Sequence, residues 1–142
     1  MSPTPRNVLC PALAGLALLL AGSPAARAAD EVPSFKKRGE MEKEFIRKVG
    51  LAIIKAAHPT ARKADLLDYK TTSPKKDRTD VHITMEYYGA VTRKRYVARI
   101  VVKCDSRDRD AWEVLNIDYE DNNTVPYSAK KVQALIREFN RK

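Results

Sequence analysis

The residues best placed to do chemistry are cations. Arg93, Lys94, Arg95, Arg99 and Lys103 fall within eleven positions of the chain, with Tyr88 just ahead of them. Period-2 patterning puts Arg93, Arg95, Arg99 and Lys103 on one face of an extended strand. Arg93 and Arg95 would then stand about 6.8 Å apart along it. That is close to the phosphate spacing of an extended polyanion. An aromatic ring beside a row of charges is also how single strands are held. The other reading of the same residues is a solvated face, laced by cross-strand pairs such as Glu86 with Arg93.

Other chemistries find less support. His58 and His82 are the only histidines, and no spacing links them as metal ligands or to a Ser/His/Asp arrangement. Asp105, Asp108 and Asp110, with Asp118, Glu120 and Asp121 later, lack the D-x-D-x-D-G pattern of a calcium loop. Gly39, Gly50 and Gly89 are the only glycines after residue 28, too few for a Gly-rich phosphate loop. No catalytic residue, metal ligand or cofactor site is therefore assigned.

The elements that must position the basic strip are clearest over Thr79–Cys104. Val81, Ile83, Met85 and Tyr87 alternate with His82, Thr84, Glu86 and Tyr88. On the return arm Tyr96, Ala98, Ile100, Val102 and Cys104 form the apolar set. Odd positions face inward on the first arm and even positions on the second, so opposed residue numbers must sum to an odd value. A two-residue Gly89–Ala90 loop satisfies this and pairs Ile83 with Tyr96. Gly89 would supply the positive φ of a type II′ turn. A four-residue loop over 88–91 keeps the same register. Val97 and Val101 interrupt the charged face and are expected to lie under a C-terminal helix.

Around this hairpin the chain reads as one α+β domain. Residues 1–28 have a basic start, an apolar run at 12–21 and Ala26-Arg27-Ala28, the layout of a secretory signal peptide. The protein is thus expected to be exported, to a periplasm or beyond, with 29–142 as the mature domain. Loss of Arg6 and Arg27 leaves 25 basic against 18 acidic residues, a net charge of +7. Such a charge favours an anionic polymer, an acidic protein or a membrane surface as partner, and export disfavours nucleic acid. Cys104 is then the only cysteine, so no internal disulfide can form, and its alternation predicts a buried thiol.

A helix is predicted from a Ser34 cap to about Ala57, on the stripe Met41, Phe45, Val49, Ile53 and Ala56. His58-Pro59 should end it. Short strands follow at 66–72 and 111–119, the latter with a β-bulge near Val114–Leu115 to reconcile its mixed parity. A last helix is capped by Ser128 and carries Val132, Leu135, Ile136 and Phe139. A long helix followed by four antiparallel strands looks like the cystatin-like and NTF2-like architectures in element order. The Gln-x-Val-x-Gly segment of protease-inhibiting cystatins is absent. Two functions fit: a non-enzymatic binding or adaptor module using the basic face, or a small enzyme or ligand binder. The second would use a pocket between the first helix and the sheet, lined by Tyr69, Tyr87, Tyr96 and Asp118.

Overall fold

A computed structural model describes residues 32–37, 41–123 and 127–142. The signal segment expected at 1–28 lies outside the described residues. A 3₁₀ turn (Phe35–Lys37) leads to helix α1 (Lys43–Ala57). Strands β1 (Arg62–Lys75), β2 (Arg78–Tyr88), β3 (Arg95–Asp105) and β4 (Glu113–Asp121) follow, then helix α2 (Ala129–Phe139). The strands form one antiparallel sheet in chain order, an α+β arrangement with the helices on one face.

That inner face is the expected one. Val81, Ile83, Met85 and Tyr87 of β2 meet Ala98, Ile100, Val102 and Cys104 of β3, all buried. Phe45, Ile46, Val49, Ile53 and Ile54 of α1 and Leu135, Ile136 and Phe139 of α2 complete the core. Gly50 lets α1 come close: a Cβ there would stand 2.5 Å from the Met85 sulfur. Burial drives the Cys104 thiol pKa up to about 12, with Asp80 adding to it, so the thiol stays protonated.

The first helix is shorter than its apolar stripe predicts. It begins at Lys43, with Glu42 at the N-cap, and not at Ser34. Ser34 instead organises the 3₁₀ turn: its hydroxyl accepts from the Lys36 N–H at 3.2 Å and donates to the Arg141 carbonyl. Phe35 is thereby driven into the core, edge-on to Phe45 and Phe139 at 5.1 and 5.3 Å. Gly39 lies in sequence between the two elements and would cost a continuous helix about 1 kcal/mol relative to Ala.

The hairpin keeps its predicted faces but not its register. Ile83 pairs with Ile100 and Tyr88 with Arg95, so the loop is Gly89–Lys94. Opposed numbers still sum to an odd value; the strands have slid by four positions relative to a Gly89–Ala90 turn. Gly89 does not have a positive φ, whereas Arg93 does, at 57°. The loop closes on itself: the Gly89 N–H donates to the Lys94 carbonyl and the Arg93 N–H to the Gly89 carbonyl, at 3.0 and 3.1 Å. Glycine is suited to position 89 by crowding, because a Cβ there would sit 2.6 Å from the Thr92 hydroxyl.

β1 runs past both predicted limits and carries register shifts at three places. The bulge expected in β4 is present. Cys104 pairs with Val114 and Lys103 with Asn116, which leaves Leu115 as the extra residue. Val114 and Ile117 can then both face inward. Ser128 caps α2 as predicted, accepting from the Lys130 and Lys131 N–H groups. Beyond α2, Asn140 pairs with β4 through its side chain. Its amide accepts from the Val114 N–H at 2.8 Å and donates to the Val114 carbonyl at 2.9 Å.

Candidate functional site

Among the described residues, the outer face of the sheet carries no helix. Across the four strands it reads Lys70, His82, Val101, Asp118 in one row and Asp68, Thr84, Arg99, Glu120 in the next. These residues line an open depression of about 660 Å³. Val101 lies in it and is not covered by α2, which packs against β4 and α1 on the opposite face. The helix's apolar stripe is already used by the core, so none is left for the outer side.

The structure separates the predicted strip. Arg95, Arg99 and Lys103 do project from the outer face, but Arg93 lies in the loop, so the 6.8 Å repeat with Arg95 does not form. Glu86 pairs with Arg95 at 2.6 Å, not with Arg93. Lys103 pairs with Asp118 at 3.1 Å. Arg93 and Arg99 form no ion pair among the described residues. Tyr88 stands between Arg62 and Arg95 at the hairpin end of the sheet, half-buried.

Among the described residues, core side chains occupy the space under α1 where a pocket is expected. The interval between α1 and the sheet holds hydrocarbon and the Met85 sulfur. Its expected lining does not assemble either. Tyr69 is 37% exposed at the β1 edge, and Asp118 points outward to Lys103. Only Tyr87 and Tyr96 come together, with rings stacked at 5.3 Å.

A different carboxylate occupies the inner side, at the end of β4. Asp121 has a side chain only 4% exposed. Its Oδ2 accepts from the Tyr87 and Tyr119 hydroxyls, both at 2.5 Å, and lies 2.9 Å from His58 Nε2. Its Oδ1 accepts from the Asn123 N–H at 2.9 Å. The Asn123 amide also donates to the Tyr87 oxygen, at 3.2 Å. A carboxylate only accepts and Tyr87 already spends its proton on it, so Nε2 of His58 must carry hydrogen.

Four elements are tied here: the C-cap of α1, β2, β4 and the segment after it. Burial pushes the Asp121 pKa up, but hydrogen bonds from Tyr119, Tyr87, the Asn123 N–H and His58 outweigh it and hold the pKa below 3.8. Burial first and Asp121 second raise both Tyr87 and Tyr119 far above the ordinary tyrosine value. The Asp121 carboxylate and the Tyr87 and Tyr119 hydroxyls are thus held in the protonation states that their hydrogen bonds need. Such a network, in which two tyrosine hydroxyls, an imidazole and a backbone N–H converge on one carboxylate, fixes geometry.

In the sequence His58 reads as a helix terminator and Asp121 as part of a loop. The signal that could have found Asp121, though not its partners, was parity. After the bulge the inward positions of β4 are Ile117, Tyr119 and, two further on, Asp121.

The described residues define a small α+β domain whose outer sheet surface is charged and carries none of their helices. No family model, no curated protein and no solved structure matches the chain.

Proposed function

We propose that the protein is an exported, non-enzymatic binding module that holds an anionic partner on the basic side of its β2–β3 hairpin, through Arg93, Arg95, Arg99, Lys103 and Tyr88. The observation that supports this reading is the availability of these cations. Arg93 and Arg99 have no carboxylate partner among the described residues. The bridges of Arg95 and Lys103 involve side chains that are themselves 50% and 45% exposed. Exposed pairs of this kind contribute little to stability, so a polyanion can displace them. Three carboxylates, Asp68, Asp118 and Glu120, share the central depression, which directs an anionic ligand toward Arg99 and the hairpin end.

The test is retention on heparin against a salt gradient. Screening acts over about 8 Å at physiological ionic strength, so a charge-driven complex must weaken steeply with salt. Replacing Arg93, Arg95 and Arg99 together by Gln should abolish retention. Replacing Lys75, Lys76 and Arg78 by Gln removes equal charge from the opposite end of the sheet and should not. Equal losses would show that net charge alone acts, and a parent that is not retained would refute the reading.

A further inference from the structure

The two ends of the sheet are both rich in cations but differ in how these are balanced. At the β1–β2 turn, Lys75, Lys76 and Arg78 sit with Asp77 and Asp105, and Arg107 is paired with Asp105 at 2.8 Å. Asp108 and Asp110 follow in the same charged connection. At the β2–β3 end the cations are Arg62, Lys63, Arg93, Lys94 and Arg95. Arg62, Tyr88 and Arg95 are lateral neighbours across three strands. Of the nearby carboxylates, Glu86 is used by Arg95 and Asp65 by Arg47. Arg62, Lys63, Arg93 and Lys94 therefore form no ion pair among the described residues.

Two further features mark this end. Lys63, in the β1 bulge, and Arg93, in the hairpin loop, both have left-handed backbones, with φ of 51° and 57°. Glycine is the residue such positions favour, and long cationic side chains stand there instead. Val91, near the middle of the loop, is 92% exposed, more than any other large apolar side chain among the described residues. The loop's own hydrogen bonds, with the Lys94 N–H also donating to the Thr92 hydroxyl at 3.2 Å, hold it in that position.

We propose that the anionic partner is a phospholipid membrane surface, and that the protein docks on it end-on through the β2–β3 loop. This rests on the reading of the protein as a binding module for an anionic partner. A soluble polyanion could satisfy the cations but would leave Val91 in water. A bilayer satisfies both: anionic headgroups meet Arg62, Lys63, Arg93 and Lys94, Val91 enters the interface, and Tyr88 lies at headgroup depth, where amphipathic rings concentrate. Each basic residue near an anionic leaflet strengthens binding about fivefold.

The experiment is co-sedimentation of the mature protein with phosphatidylcholine vesicles, with and without phosphatidylglycerol, beside heparin retention of the same samples. The parent should bind only the anionic vesicles. Lys63→Gly with Arg93→Gly should weaken that binding about 25-fold, from two fivefold steps. The same double variant should melt a few degrees higher than the parent, because glycine relieves both left-handed positions; this shows that it is folded. Val91→Asn should weaken vesicle binding and leave heparin retention unchanged. Heparin retention without vesicle binding overturns the membrane assignment and leaves the binding-module reading standing. Binding to neither overturns both. Vesicle binding that survives either variant unchanged overturns the end-on geometry.

Discussion

Replacing Asp121 by Ala should be among the most damaging single changes in the domain. The substitution removes the acceptor for two tyrosine hydroxyls, His58 Nε2 and the Asn123 N–H. Tyr87 is fully buried, so its hydroxyl cannot turn to water, and His58 Nε2, 2.9 Å away, would have to change tautomer to accept from it. A buried donor left without a partner costs about 1–3 kcal/mol. Two tyrosines, plus the loosened His58 and Asn123, give an expected loss of about 3–5 kcal/mol, the range found when one member of a buried charged network is removed. Small domains have only about 5–15 kcal/mol in total. Urea unfolding at neutral pH measures the loss directly. Asp121→Asn, which keeps the shape and one acceptor oxygen, should cost roughly half as much. The acid limb adds a sign. Because the folded pKa of Asp121 lies below 3.8, its contribution is full above that pH and fades as pH falls through the folded value. The gap between parent and Asp121→Asn should therefore close in strong acid. A loss below about 1 kcal/mol for Asp121→Ala would refute the claim that this network holds four elements together.

The alkaline limb should run the other way. Tyr87, Tyr119 and Tyr127 all have pKa values raised above 10.0, that of Tyr127 to about 12 through burial alone. Their contribution is full below pH 10 and is lost as pH rises toward the folded values; ultraviolet titration showing all three ionising at their ordinary value in the folded protein would contradict this. Gly50→Val should cost about 2–3 kcal/mol by forcing α1 off the buried Met85, more than its helix propensity returns. Met85→Ala in the same chain should recover part of that loss, and purely additive melting shifts would show that the two positions do not touch.

The faces of the central hairpin were legible because alternation is a local property of each arm. Its register was not, since parity permits every odd sum and Gly89 suggested the tightest loop. The residue that adopts positive φ is Arg93, which carries no sequence signal for that conformation. Ser34 was likewise identified as a capping residue, but the turn it caps sends Phe35 into the core and ends there. The bulge at Leu115 could be inferred from conflicting parities within one strand. The Asp121 cluster could not, because it joins residues 58, 87, 119, 121 and 123, whose proximity exists only once the sheet has curled against α1. The basic strip was visible as composition, but its balance of charge depended on which carboxylates the folded chain placed beside each cation.

Asn140 has a consequence for vectorial synthesis. Every strand pairs with the next one along the chain, so the sheet can assemble from neighbouring segments as they emerge. The outer edge of β4 is different. At Val114 it is completed by an amide 26 positions later, and Ser34 waits for the carbonyl of Arg141, 107 positions away. A chain still tethered near residue 140 can hold its whole sheet while one strand edge stays open at Val114, able to pair with another emerging chain. Asn140 thus works as a clasp that removes this risk only after β4 and α2 have both been made.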